Sequence, residues 1–115
     1  MKRVRVYVAG SYSADNIIGV LNNIHRGTKM CAALLKKGYA PFCPWLDYQF
    51  QFYDISLTVD DYRDYSMMWL EVSDVVLVLE NSEKSKGTQA EIKRAEQLRI
   101  PIVHSVKELD ISWGG

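Results

Sequence analysis

Cysteine, proline and net charge are all scarce in this chain, and each shortage removes a class of protein. Two cysteines, Cys31 and Cys43, cannot build a disulfide framework, and their spacing fits no zinc site. No metal or other cofactor is expected. No secretory leader pattern opens the sequence, so both thiols are expected to be reduced, in a cytoplasmic protein. Neither is expected to act as a nucleophile, because Cys31 lies in a helical pattern without a basic sequence neighbour placed to activate it. Fourteen Lys and Arg balance fourteen Asp and Glu, which leaves no global field to attract a nucleic acid polymer or a membrane surface. Any anionic ligand must be held locally. No apolar run approaches membrane-spanning length, and no repeat or low-complexity linker divides the chain. With 48% hydrophobic content, 115 residues suffice for one core and are too few for two, so residues 1–115 are expected to form a single domain.

The segments present alternate between strand and helix. Val4 to Ala9 reads as a strand, and a polar turn from Gly10 leads into a helix ending near Lys37, with Asp15 or Asn16 as its N-cap. Ile17, Val20, Leu21, Ile24, Met30, Ala33 and Leu34 supply its expected core face, with Gly27 softening the middle. Lys36-Lys37-Gly38 marks the helix end. Tyr39 to Cys43 is a short second strand. Pro44 to Leu57 carries five aromatics without a period, which suits either a pocket wall or a surface and oligomer contact. A helix from Val59 to Val72 is expected to turn Tyr62, Tyr65, Trp69 and Val72 inward, and its dipole alone accounts for Asp60, Asp61 and Asp64 near its start. Val75 to Leu79 is an unbroken β-branched run, the pattern of a strand covered on both faces. Another helix begins at Thr88, Ile100 to His104 forms a fourth strand, and Val106 to Ile111 suits a helical turn or an edge strand. This βαβαβαβ order predicts a parallel sheet with helices on both faces and ligands at the carboxyl ends of its strands. If the first strand lies beside the third, Gly10 and Ser11 share a crevice with Ser85 and Gly87.

The stretch from Asp74 to Glu91 runs from buried strand through polar loop to helix start. Thr88, Glu91, Ala95 and Leu98 recur at helical spacing, which puts Glu91 on the apolar face next to Gly87, where a ligand can approach the backbone. Two readings of Glu91 are open on this segment. A carboxylate on an inward stripe is a candidate reactive group. Thr88-Gln-Ala-Glu91 also spells a capping box, in which the glutamate bonds the threonine N–H.

Tyr-Val-Ala-Gly-Ser at 7 to 11, Ser-Asp-Val-Val-Leu at 73 to 77 and Ser-Lys-Gly-Thr-Gln-Ala-Glu at 85 to 91 resemble the nucleoside 2-deoxyribosyltransferase superfamily, which includes deoxynucleoside 5'-monophosphate N-glycosidases. The resemblance spans nearly the whole chain, and its Ser-x-Gly-x-x-x-Glu element is the specific part. It implies a flavodoxin-like three-layer α/β/α fold with four or five parallel strands. It also implies cleavage of the bond between a (deoxy)ribose C1' and a nucleobase in a small nucleoside or nucleotide. Glu91 matches the nucleophile and Tyr7 a tyrosine beside it. Ser85 and Gly87 match positions that hold the sugar's 5' end, while Gly10 and Ser11 match the first-strand turn. Lys86 and the backbone N–H groups around Thr88 are further candidates for an anion.

The sequence departs from that pattern at two places. Ser66 stands where related enzymes carry an acid, and Ser13 replaces the arginine of phosphate-specific relatives, so a 5'-phosphate is not expected to be recognised and deoxynucleosides are expected to bind as well as their monophosphates. Asp64 is the first choice to substitute for the acid, with Asp61 and Asp47 as alternatives. Two function classes follow: a glycosyl-transferring or hydrolysing enzyme, and a nucleotide-binding module that lost the reaction. The resemblance further implies a homo-oligomer whose sites are closed by a neighbouring subunit, with Trp45 to Tyr53 and Trp113 as candidate contacts.

Overall fold

The apolar runs form the strands of the computed structural model, which describes residues 2–114. They are β1 (Arg5–Ala9), β2 (Ala40–Phe42), β3 (Val75–Val78) and β4 (Ile102–Val103). All are parallel, in the order β2-β1-β3-β4, with Val6 opposite Val75 and Tyr7 opposite both Val76 and Phe42. The two central strands are buried from Val6 to Ala9 and from Val75 to Val78, as strands covered on both faces must be.

Four α-helices cover them: α1 (Ile17–Lys36), α2 (Val59–Leu70), α3 (Lys86–Gln97) and α4 (Val106–Trp113). On one face Cys31 and Leu34 of α1 and Leu109 of α4 pack on Val6, Val8, Val75 and Leu77. On the other, Leu70 of α2 and Ala95 of α3 pack on Tyr7, Ala9, Val76 and Val78. The result is a flavodoxin-like three-layer α/β/α fold.

Asn16 is the N-cap of α1, its Oδ1 accepting from the Gly19 N–H at 2.9 Å. Only Gly27, Cys31 and Leu34 of this helix are buried, while Ile17, Leu21 and Ala33 are exposed. Length explains the overhang. Twenty helical residues span about 30 Å, whereas the five of β1 span about 17 Å, so the first turns of α1 project past the sheet. Gly27 does not soften the helix. A Cβ there would lie 2.2 Å from the Trp45 ring, so the glycine makes room for an indole that is 1% exposed.

Trp45 belongs to a 3-10 helical segment, Pro44–Phe52, in place of the expected irregular stretch. Beyond it, α2 is turned by about one residue from its expected orientation. Ser66 and Leu70 are buried, while Tyr65, Trp69 and Val72 are exposed. Tyr65 and Trp69 instead lie against Phe42, with ring centroids 6.0 and 5.9 Å away. Because β2 is an edge strand, these rings cover the side of the sheet rather than enter the core.

The strand β3 is tied to β1 below the register by the Arg5 N–H, which donates to Asp74 Oδ2 at 2.8 Å. That bond gives Asp74 a structural role at the strand start. The residue range Val106–Trp113 is helical, capped by Ser105 Oγ accepting from the Glu108 N–H at 3.1 Å. No helix among the described residues is long and apolar enough to cross a membrane.

Candidate active site

The carboxyl ends of β1 and β3 are adjacent, and the loops that follow them open onto a cavity of about 830 Å³. Gly10 and Ser11 line it from the β1 turn, and Ser85, Lys86, Gly87 and Thr88 from the start of α3. The strand order alone dictates that meeting. The backbone of the β3–α3 loop is shaped by Asn81, which has φ 62°, a region asparagine tolerates better than most residues. The Asn81 carbonyl accepts a hydrogen bond from Ser11 Oγ at 3.3 Å, joining the two loops.

The helix α3 starts at Lys86 rather than Thr88, and its N-cap is Ser85, whose Oγ accepts from the Thr88 N–H at 3.2 Å. The capping-box reading of Glu91 therefore fails. Its side chain reaches across to β1 instead, where Tyr7 Oη donates to Glu91 Oε2. The actual capping box in the chain is on α2, where the Asp61 N–H donates to Thr58 Oγ1 at 3.1 Å and the Thr58 N–H donates to Asp61 Oδ2 at 2.7 Å. That accounts for Asp61 structurally.

Tyr7 is fully buried, stacked on Phe42 at 5.5 Å, with Phe42 stacked in turn on Trp69. A ring held this way has little rotamer freedom. Glu91 is half-buried and faces the cavity. Burial pushes its carboxyl up to about 7, and the Tyr7 hydrogen bond opposes that rise without cancelling it. Burial and then the Glu91 charge push the Tyr7 phenol far up, so it remains a neutral donor. Neither salt bridge among the described residues involves Glu91. A carboxylate aimed into a cavity, oriented by one donor and neutralised by no cation, is suited to attack an electrophilic carbon.

The structure does not bring Asp64 to this cavity. Tyr62, Arg63, Ser66 and Met67 of α2 line it, and Asp64 is exposed. Residues two apart on a helix point to different faces, so with Ser66 inward, Asp64 is held away. Asp47 does line the cavity, from the 3-10 segment, and is 8% exposed. Tyr12 Oη donates to Asp47 Oδ1 at 3.0 Å. Burial raises the Asp47 carboxyl above the usual aspartate range, with the Tyr12 bond acting against it.

Sequence reasoning missed Tyr12, Arg63 and Lys84 and misassigned Tyr62 to the core. The signal for Arg63 and Tyr62 was present: they precede Ser66 by three and four residues, and so share its helical face. Trp45 was noticed only as an aromatic in an irregular loop. Its Nε1 donates to the Ser11 carbonyl at 3.0 Å, bracing the first-strand turn. A Cβ on Gly10 would lie 3.0 Å from the same indole, which is why that turn carries a glycine. No group of three or more His, Cys, Asp or Glu suited to a metal ion occurs among the described residues.

Residues 4–105 match a family described as a domain of unknown function (DUF7768). The match covers most of the chain, which therefore belongs to that family. No curated protein matches it.

Proposed function

We propose that this protein cleaves the N-glycosidic bond of a small (deoxy)nucleoside or (deoxy)nucleotide, with Glu91 as nucleophile, and passes the deoxyribosyl group to another base or to water. The observation that carries this reading is the Glu91 carboxylate itself, oriented by Tyr7 and open to a cavity that Ser11, Ser66, Ser85 and Thr88 help to line. As the base departs, C1' takes on oxocarbenium character, and a carboxylate on the opposite face traps it as a glycosyl ester. Gly87 leaves the approach open, since a Cβ there would meet nothing nearer than Ser85 Oγ at 4.0 Å.

Arg63, Lys84 and Lys86 on the cavity wall favour a 5'-phosphate, despite Ser13 in the first turn. A monophosphate is expected to bind at least tenfold more tightly than its nucleoside, about 1.4 kcal/mol, with the preference reduced in Lys86→Ala. Equal affinities would return the reading to unphosphorylated nucleosides.

Incubation with a panel of deoxynucleosides and their monophosphates, with and without a second base, tests the reaction. Free base without an acceptor identifies a hydrolase, and base exchange a transferase. Bound but unchanged nucleotide would support a second reading, a binding module. Serine in place of an acid at position 66 is the observation that favours that alternative.

A homo-oligomer in the cytoplasm completes the proposal. Phe52, Tyr53 and Ile55 are 77, 91 and 93% exposed beside the cavity-forming segment, an apolar surface suited to a second copy. Cys31 and Cys43 are both free thiols. A monomeric mass in sedimentation at micromolar concentration would count against the assembly.

A further inference from the structure

The cavity wall carries two acidic side chains, Glu91 and Asp47, and the proposed reaction leaves the second without a role. They come from segments that follow β3 and β2, the two neighbours of β1, so they flank the carboxyl end of β1 from opposite sides. A substrate seated over that strand end lies between them. Resting on the glycosidic reading above, we infer that Asp47 is the proton donor to the departing base, the position vacated at Ser66 having been replaced from the 3-10 segment.

Four observations support the assignment. Asp47 is buried except toward the cavity, and Tyr12 occupies only its Oδ1. The Tyr62 hydroxyl is buried without a hydrogen-bond partner among the described residues, and Tyr62 lines the same cavity as Asp47. An unpaired buried hydroxyl on the wall of that cavity is suited to take up a ligand's polar edge. Burial also favours the protonated acid, the form a donor needs. Finally, Asp47 and Glu91 line the same cavity, so both carboxyls face one site.

In the first step the C1'–N bond breaks with its electron pair going to the base. Glu91 forms the C1'–O bond, and the Asp47 proton moves to the base. In the second, water gives its oxygen to C1' and its proton to Asp47 while the Glu91 carboxylate is released. Both groups return to their starting states. The titratable and charged groups that share the cavity wall with Asp47 are Tyr12 from the β1 turn, Tyr62 and Arg63 from α2, and Lys84, Lys86 and Glu91 from the β3–α3 loop and α3.

The test compares a purine nucleoside with its N7-methylated counterpart, whose cationic base leaves without taking a proton. Asp47→Asn preserves the acceptor for Tyr12 and is expected to slow release of the ordinary base by about 10²- to 10⁴-fold. In a single turnover, with protein in excess so that the second step is not read, it should leave release of the methylated base near the wild-type rate. Glu91→Gln should lose both, and Asp47→Glu should restore part of the ordinary rate with a shifted alkaline limb. Folding is checked by melting curves on each variant. Equal loss on both substrates would reduce Asp47 to a packing role, and no loss on either would remove it from the mechanism. Wild-type protein releasing neither base would overturn the glycosidic reading itself, and Asp47's role with it.

Discussion

Besides Tyr12–Asp47 at the cavity, two further phenol–carboxylate pairs sit on opposite faces of the sheet. Tyr7 donates to Glu91 on the α2–α3 face, and Tyr39 donates to Asp110 at 2.7 Å on the α1–α4 face. Their carboxyls shift in opposite directions. Lys37 and then Tyr39 hold Asp110 below the usual aspartate range, whereas burial lifts Glu91 to about 7. The difference is a cation and access to water: Lys37 pairs with Asp110 at a surface site, and Glu91 has only the neutral phenol. The same bond therefore ties a helix down in one place and orients a buried carboxyl toward a cavity in the other.

Removing each carboxylate should separate the pairs most strongly. Glu91→Gln is expected to lower turnover on the order of 10³-fold or more, with no covalent sugar adduct detectable by mass spectrometry. Its melting temperature should be equal or higher, because a neutral amide avoids the desolvation of a charge. Asp110→Asn should retain turnover and melt earlier. Wild-type turnover in Glu91→Gln would leave the binding-module reading ahead.

The phenols should differ in kind. Tyr7→Phe removes the one bond that holds the Glu91 carboxyl down, so the acid limb of kcat/KM moves to higher pH and the rate falls by about 10-fold or more. Tyr39→Phe should leave the pH profile in place and reduce stability by about 1 kcal/mol, the worth of one hydrogen bond. Matching pH profiles for the two variants would mean that Tyr7 is only a packing residue.

Stability should respond to pH with opposite signs at the two sites. The folded Glu91 carboxyl binds its proton more tightly than the unfolded one, so its contribution is complete below the ordinary glutamate value near 4.5 and disappears as pH rises through about 7. Asp110, held low, contributes above its unfolded value of 3.8 and loses that contribution as pH falls through its lower folded value. Melting curves from pH 3 to 8 should therefore show a fall between about 4.5 and 7 that is reduced in Glu91→Gln, the remainder coming from Asp47, whose carboxyl burial also raises. An unchanged fall in that variant would assign it to another group.

The smallest effect concerns salt. Lys37→Ala should lower the melting temperature slightly at low ionic strength and not at high, since exposed ion pairs are weak and screened. The Tyr7–Glu91 pair, without a cation, should show no comparable dependence.

Much of the site was legible before any coordinates. Glu91 was readable because helical spacing from Thr88 to Leu98 has a definite inward face, and the shared crevice because strand order forces the Gly10 and Ser85 loops together. A second acid is less legible. Asp64 could reach the site only if α2 were turned toward it, but the helix buries Ser66 and Leu70 and lays Tyr65 and Trp69 over the edge strand at Phe42, which leaves Asp47, one of the alternatives, as the acidic side chain beside Glu91 on the cavity wall.

The sequence by itself determined the alternation of elements, the buried central strands and the end of the sheet at which a ligand is expected. Those follow from local periodicity and from the short connections a parallel sheet allows. Tertiary structure decided the phase of α2, the place of Trp45 against Gly27 and the arrival of Asp47 in the cavity. Each depends on contacts between segments far apart in the chain. The 3-10 run from Pro44 to Phe52 has no apolar period to orient it, so the Trp45 indole, seated between α1 and the first-strand turn, and the Tyr12–Asp47 bond fix which of its side chains faces the cavity.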